Sequence, residues 1–139
     1  MNPFTIRPAS TEDLDAIGKI QAASPQASQW APQDYLAYGC IIIELHGEVA
    51  GFLVSLQTGP GEREILNLAV DPAARRKGLA RAMLAHELHH TRGEWFLEVR
   101  ASNVEALALY QSIGFHQVTV RYNYYANPPE SAIVMRIFS

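Results

Sequence analysis

Cysteine is almost missing from this sequence. Cys40 stands alone among 139 residues, so no internal disulfide can form and nothing points to an oxidising compartment. It precedes Ile41-Ile42-Ile43, where a buried and inert thiol is expected. Long apolar runs are missing too. The longest candidate, Cys40 to Leu45, already contains Glu44, far short of the roughly 18 residues a membrane helix needs. The opening Met-Asn-Pro-Phe-Thr-Ile-Arg-Pro lacks the basic-then-apolar layout of a secretory signal. There is no excess of positive charge: 11 Lys and Arg face 14 Asp and Glu, a net charge of −3, which argues against a nucleic-acid partner. No repeat, low-complexity tract or linker divides the chain, and its length is that of one domain, residues 1–139. These absences leave a cytoplasmic enzyme or binding module that touches neither membrane nor nucleic acid.

What is present alternates between two periods. Phe4-Thr5-Ile6-Arg7 reads as a short strand ending at Pro8. Ser10 or Thr11 caps a helix with Glu12 and Asp13 in its first turn, and Leu14, Ile17 and Ile20 follow helical spacing. Residues 24–38 are irregular or weakly helical. Cys40–Leu45 and Val49–Leu56 are strands joined through His46-Gly47-Glu48, and Thr58-Gly59-Pro60-Gly61 breaks the second. Strand Ile65–Val70 leads through Asp71-Pro72 to a helix from about Gly78 to His90, then strand Trp95–Val99. Ser102 opens the next helix with Glu105 three residues on, the spacing of a capping box. On it Ala106, Leu109, Tyr110 and Ile113 share a face. Gly114 stops that helix, and Phe115 can fold back on it. Two strands near 116–125 and 131–138 finish the chain. The order β-α-β-β-β-α-β-α-β-β predicts an α/β fold with a mixed sheet flanked by helices.

Charge is concentrated at one place. Arg75, Arg76, Lys77 and Arg81 supply four of the eleven basic residues within seven positions, which on an acidic protein suggests a discrete anionic ligand. Arg75-Arg76-Lys77-Gly78-Leu79-Ala80 lies between a strand and an amphipathic helix. The first amides of a helix have no internal partner and carry partial positive charge, and small residues at 78 and 80 let phosphate oxygens approach the backbone. The Gly-Lys-Ser/Thr ending of a Walker loop and the three ordered glycines of a dinucleotide fingerprint are both absent.

Asn67-Leu68-Ala69-Val70-Asp71-Pro72 followed by Arg75-x-x-Gly78-x-Ala80 resembles the acetyl-CoA-binding motif of the GNAT superfamily. Leu97-Glu98-Val99-Arg100-Ala101-Ser102-Asn103, Ala108-Leu109-Tyr110-Gln111-Ser112-Ile113-Gly114-Phe115 and Arg121-Tyr122-Asn123-Tyr124-Tyr125 resemble a branch of it, the bacterial ribosomal-protein-alanine N-acetyltransferases of the RimI type. The resemblance runs from about residue 65 to the C-terminus. It implies a GNAT fold with a splayed gap between strands Ile65–Val70 and Trp95–Val99, in which the pantetheine arm of acetyl-CoA lies. It implies that backbone groups of the segment Leu68, Ala69 and Val70 pair with that arm. The turn Arg75, Arg76, Lys77, Gly78, Leu79, Ala80 and Arg81 then holds the pyrophosphate, and Asn103 contacts the cofactor beyond it. Ser28-Gln29-Trp30-Ala31-Pro32 departs from the Pro-Trp-Ser common there in the family, in a region that shapes the acceptor side.

Two residues are candidates for acid–base work. Alternation puts Glu98 on one face with Phe96 and Arg100, and a carboxylate within an apolar strand gains proton affinity unless paired. It is either a general base or the structural ion-pair partner of Arg100. Tyr110 lies on the apolar stripe of its helix, where packing alone would account for it. The resemblance makes Glu98 the base and Tyr110 the acid that protonates the departing thiolate. An α-amine, with a pKa near 7.8, is roughly a tenth neutral at pH 7, whereas lysine near 10.4 is neutral at a few parts in ten thousand. One glutamate therefore serves a protein N-terminus, such as that of a ribosomal protein, more easily than a lysine. A small-molecule or lysine amine is the alternative acceptor, and a non-catalytic acyl-CoA-binding module is the alternative of another class. His86-Glu87-Leu88-His89-His90 matches the H-E-x-x-H of zinc proteases. The third ligand position of the extended motif is Phe96, and Leu79, Met83, Leu84 and Leu88 claim the buried arc of that helix, so no metal site is expected.

Overall fold

The computed structural model describes residues 3–126 and 128–139, leaving Met1 and Asn2 of the opening segment outside. Its elements are β1 (Phe4–Pro8), α1 (Leu14–Ala22), β2 (Gly39–Leu45), β3 (Glu48–Gly59), β4 (Glu62–Val70), α2 (Leu79–His90), β5 (Glu94–Arg100), α3 (Val104–Ile113), β6 (His116–Ala126) and β7 (Pro129–Phe138). The expected order of strands and helices is the observed one. Short 3-10 turns at Thr11–Asp13, Pro32–Ala37 and Pro72–Ala74 fill three of the connections.

The strands form one seven-stranded sheet in the order β1-β2-β3-β4-β5-β7-β6. The unbroken apolar run in β2 follows from its place, because both faces of the sheet are covered there. Ile41 and Ile43 pack on the side of α2 and α3, with Leu79, Met83, Leu84, Leu88 and Tyr110. Ile42 and Cys40 pack on the other side with Ile17 and Ile20 of α1, Tyr35 and Phe52. Each fully buried aliphatic side chain contributes about 1.5–3 kcal/mol to this arrangement. Burial also pushes the Cys40 thiol up to about 12, so it is inert at neutral pH.

At the start of α1, the backbone N–H of Ser10 donates to Asp13 Oδ2 at 2.8 Å. Arg7 grips the same carboxylate with both Nη atoms at 2.8 Å. Two expectations need correction. The capping residue of α3 is Asn103, whose Oδ1 accepts from the N–H of Ala106 at 3.3 Å; Ser102 instead donates to Glu130 at 3.0 Å. Ser102 is drawn to β7 because the sheet brings Glu130 beside it, which no local pattern encodes. The β3–β4 hairpin is also longer than Thr58-Gly59-Pro60-Gly61 implied. Gln57 pairs with Arg63 and Gly59 with Glu62, so cross-strand pairing overrides the breaker and confines the turn to Pro60-Gly61. The C-terminus of α3 is as expected: Gly114 has φ 124°, where a side chain would be strained, and Phe115 packs edge-on to Tyr110 with ring centroids 5.6 Å apart.

One irregularity in the sheet creates the site. β3 and β4 pair through Val54↔Asn67 and then Ser55↔Ile65, so Leu66 is an extra residue on β4. Such a bulge bends its strand. At the same point the parallel partner departs: β4 and β5 pair from Glu62↔Glu94 to Ile65↔Leu97 and no further. Beyond Ile65 and Leu97 the two strands diverge.

Candidate active site

The divergence opens a cleft of about 570 Å³ between the C-terminal halves of β4 and β5. Six of the sequence-predicted site residues line it: Leu68, Ala69, Arg75, Glu98, Asn103 and Tyr110. Its outer wall is residues 24–30, which include Ser28, Gln29 and Trp30 of the segment that departs from the family pattern. Val70 and the rest of the basic turn do not line it. Val70 turns its side chain toward the α2-side core, and the turn lies beyond the cleft at the start of α2.

That turn has the backbone of an anion site. Asp71 Oδ1 accepts from the N–H of Ala73 at 3.0 Å and fixes the exit from β4. Arg76 has φ 64° and Gly78 has φ 74°. A non-glycine residue in that region costs roughly 1–2 kcal/mol, so Arg76 is held there by the surrounding turn. The first bond of α2 runs from the N–H of Ala82 to the carbonyl of Gly78 at 3.0 Å, which leaves the amides of Leu79, Ala80 and Arg81 without helical partners. A Cβ on Gly78 would meet nothing within 4 Å, so the space above those amides is open. The four basic side chains divide. Arg76 and Lys77 are exposed without an ion-pair partner among the described residues. Arg75 turns back to the carbonyl of Val70 and Ser24 Oγ, each at 3.4 Å. Arg81 donates to Ser112 Oγ at 2.7 Å and ties α2 to α3. Leu79 is buried as a core anchor.

Glu98 and Tyr110 occupy the same cleft in different electrostatic settings. Glu98 is ion-paired, and its partner is Arg121, at 2.6 Å. Arg100 pairs instead with Glu130 at 3.7 Å and stacks over Tyr125 at 4.1 Å. The structural pair with Arg100 is thereby excluded. The strand order β5-β7-β6 brings Arg121 to Glu98 from one strand beyond β7. Arg121 in turn lies 4.2 Å over the ring of Tyr124. Burial and the charge of Glu98 raise the proton affinity of Glu64, against the pull of Arg121. The charge of Glu98 first, then burial, raises that of Tyr124. Tyr110 is buried, and that burial holds its phenol far above its ordinary value. Its hydroxyl has no hydrogen-bond partner among the described residues, so it is a protonated donor facing the cleft. The arrangement thus sets a carboxylate and a protonated phenol on one cavity, near a basic turn whose first helix amides are free.

Sequence reading missed two features of this site. Arg121 was visible as part of a motif, yet its link to Glu98 depends on the order β5-β7-β6. Asn67 was read only as a motif residue. It is buried and bonded to α1, to residue 28 and to Tyr35; a polar residue in the middle of Ile65–Val70 was the available signal.

The H-E-x-x-H helix shows a different geometry. His86 and His90 stack with centroids 4.1 Å apart, and His90 Nδ1 contacts the carbonyl of His86 at 2.7 Å. Leu79, Met83, Leu84 and Leu88 are its buried residues, as their helical spacing predicts. Among the described residues no three His, Cys, Asp or Glu side chains are grouped to hold a metal.

The model of the acetyltransferase (GNAT) family matches residues 10–115. The chain belongs to the GNAT family. This acetyltransferase is 37% identical to the [ribosomal protein bS18]-alanine N-acetyltransferase of Salmonella typhimurium, with 96% of each chain covered. Similarity therefore extends through the N-terminal third, where motifs alone gave little. The crystal structure of the ribosomal-protein-S18-alanine N-acetyltransferase from Escherichia coli superposes with a TM-score of 0.83 at 34% identity, covering 97% of this chain and 93% of that one. A GNAT acetyltransferase from Elizabethkingia anophelis with acetyl-CoA bound shares the fold at 19% identity, with a TM-score of 0.80 over the whole of both chains. The chain is an N-acetyltransferase that uses acetyl-CoA. Among its described residues no helix is long and apolar enough to cross a membrane.

Proposed function

We propose that this GNAT enzyme acetylates the α-amine of a protein N-terminus, that of a ribosomal protein beginning with alanine. The observation that carries the reading is the near full-length similarity to enzymes named for that reaction. The cleft supports it, with Glu98 and Tyr110 lining the same space. The turn from Arg75 to Arg81, with its free amides and open space at Gly78, fits a pyrophosphate. Leu68, Ala69 and Val70 on the splayed edge, and Asn103 beyond them, fit the rest of the cofactor.

Bound acetyl-CoA supplies an activated thioester carbonyl. Glu98 takes the proton that the acceptor α-ammonium must lose before its nitrogen can form the new N–C bond. Arg121 holds that carboxylate in place at 2.6 Å before the acceptor arrives. Tyr110 Oη, kept protonated by burial, gives its proton to the sulfur as the C–S bond breaks. The strand from Tyr122 to Tyr125 serves the acceptor side: Tyr125 lines the cleft, Tyr124 lies under Arg121 beside Glu98, and Tyr122 is exposed. A cytoplasmic place of action accompanies a ribosomal acceptor.

The test is an acetylation screen of peptides that differ in their first two residues, with free lysine and polyamines alongside. Alanine-first peptides are expected to be the best acceptors. Transfer to lysine or polyamines with no α-amine acetylated would overturn the reading.

A further inference from the structure

Asn67 sits at the bulge of β4 and is 6% exposed. Its Oδ1 accepts from two backbone amides, Leu68 N–H at 3.1 Å and Ser28 N–H at 3.3 Å. Its Nδ2 donates among three acceptors: the carbonyl of Ser28 at 3.0 Å, Tyr35 Oη at 3.1 Å and Gln21 Oε1 at 3.2 Å. The amide thus grips both backbone groups of Ser28, as a neighbouring strand would. Gln21 extends the grip by donating to the carbonyl of Trp30 at 2.6 Å and accepting from the Tyr35 hydroxyl. One buried side-chain amide therefore suspends the outer wall of the cleft from the strand that forms its floor.

The two bonds at Oδ1 differ in what can compete for them. Leu68 lines the cleft beyond the last β4–β5 pair, so its N–H has no β5 acceptor and is satisfied by Asn67. A ligand lying along β4 offers that N–H a better partner. Ser28 is held by the same amide at both its N–H and its carbonyl, so that two-point grip is the one that persists. An oxygen that loses one of two donors strengthens its bond to the other, since bonds sharing an acceptor polarise it in competition. We infer that Asn67 is a positioning residue that couples cofactor occupancy to the acceptor wall. Filling the cleft frees Oδ1 from Leu68, tightens its bond to Ser28 and orders residues 24–30 around Trp30. This rests on the reading of the segment around Trp30, from Ser28 to Pro32, as part of the acceptor side.

The test uses coenzyme A and an unacetylated alanine-first peptide, a pair that binds without reacting. In the native chain coenzyme A is expected to tighten peptide binding at least about fivefold by calorimetry, within the range of ordinary site coupling. In Asn67→Ala that factor is expected to fall toward one, while affinity for coenzyme A alone stays close to native. Hydrogen exchange by NMR on the native chain gives a readout that needs no variant: the Ser28 amide is expected to slow when coenzyme A is added. Peptide binding with no coupling, or Ser28 exchange unchanged in the coenzyme A complex, overturns the inference and leaves the proposed function standing. Coenzyme A binding with no peptide binding under any condition overturns the acceptor reading, and this inference with it.

Discussion

Replacing Gly78 separates two effects that usually travel together. The residue has φ 74° and ψ 19° as the capping residue of α2. Valine there carries the left-handed penalty of roughly 1–2 kcal/mol, more for a branched side chain. At about 2.1 cal/mol/K of unfolding entropy per residue, that lowers the Tm by about 3–7 °C. No steric term adds to this, since a Cβ at position 78 meets nothing within 4 Å. The same open space is where a phosphate would approach the amides of Leu79, Ala80 and Arg81, so any Cβ obstructs the ligand. Asparagine tolerates left-handed backbone far better than valine. Gly78→Asn is therefore expected to keep most of its stability while losing acetyl-CoA affinity tenfold or more, equivalent to about 1.4 kcal/mol. Gly78→Val is expected to lose both. Calorimetry with acetyl-CoA and thermal melts of the free proteins make the comparison. A Gly78→Asn variant that binds as tightly as the native protein refutes the pyrophosphate assignment, whatever its stability.

Three further outcomes are expected. Glu98→Gln should cut the rate by roughly 10²–10⁴ with cofactor affinity and Tm nearly unchanged, because Arg121 is half-exposed and rehydrates; a lower Tm with native specific activity would make Glu98 structural. Tyr110→Phe preserves the packing against Phe115 and removes a hydroxyl that has no partner among the described residues, so kcat should fall by roughly 10²–10⁴ with the peptide KM little changed, and a near-native kcat would exclude it as the acid. Asp13 is held below the usual aspartate value of 3.8, chiefly by hydrogen bonds from Arg7. Its contribution is complete above about pH 4 and is lost as pH falls through the lower folded value. Asp13→Asn should lower stability by roughly 1–3 kcal/mol at neutral pH and flatten the acid limb in denaturant melts from pH 2 to 7; an unchanged acid limb would show that other carboxylates carry it.

Much of the molecule was legible along the chain because it is local. Leu79, Met83, Leu84 and Leu88 mark one helical face within two and a half turns, and the solvent cost of exposing them forces that face inward. Gly78 and Gly114 announce backbone that other residues adopt only under strain. Alternation from Trp95 to Val99 sorts Glu98 from the core residues beside it without reference to the rest of the fold. The basic turn and its free helix amides follow from a strand, a short turn and a helix start, all within one stretch. The tertiary structure alone decided what depends on strand order and register. Arg121 reaches Glu98 because β7 inserts between β5 and β6, Ser102 leaves its helix because Glu130 arrives beside it, and Asn67 becomes a hub because α1, Tyr35 and residue 28 converge there. The cleft itself comes from one extra residue, Leu66, at the point where β5 stops pairing. Side-chain periodicity constrains each strand separately. Which strand lies next to which, and in what register, is fixed only when the two faces of the whole sheet are buried at once.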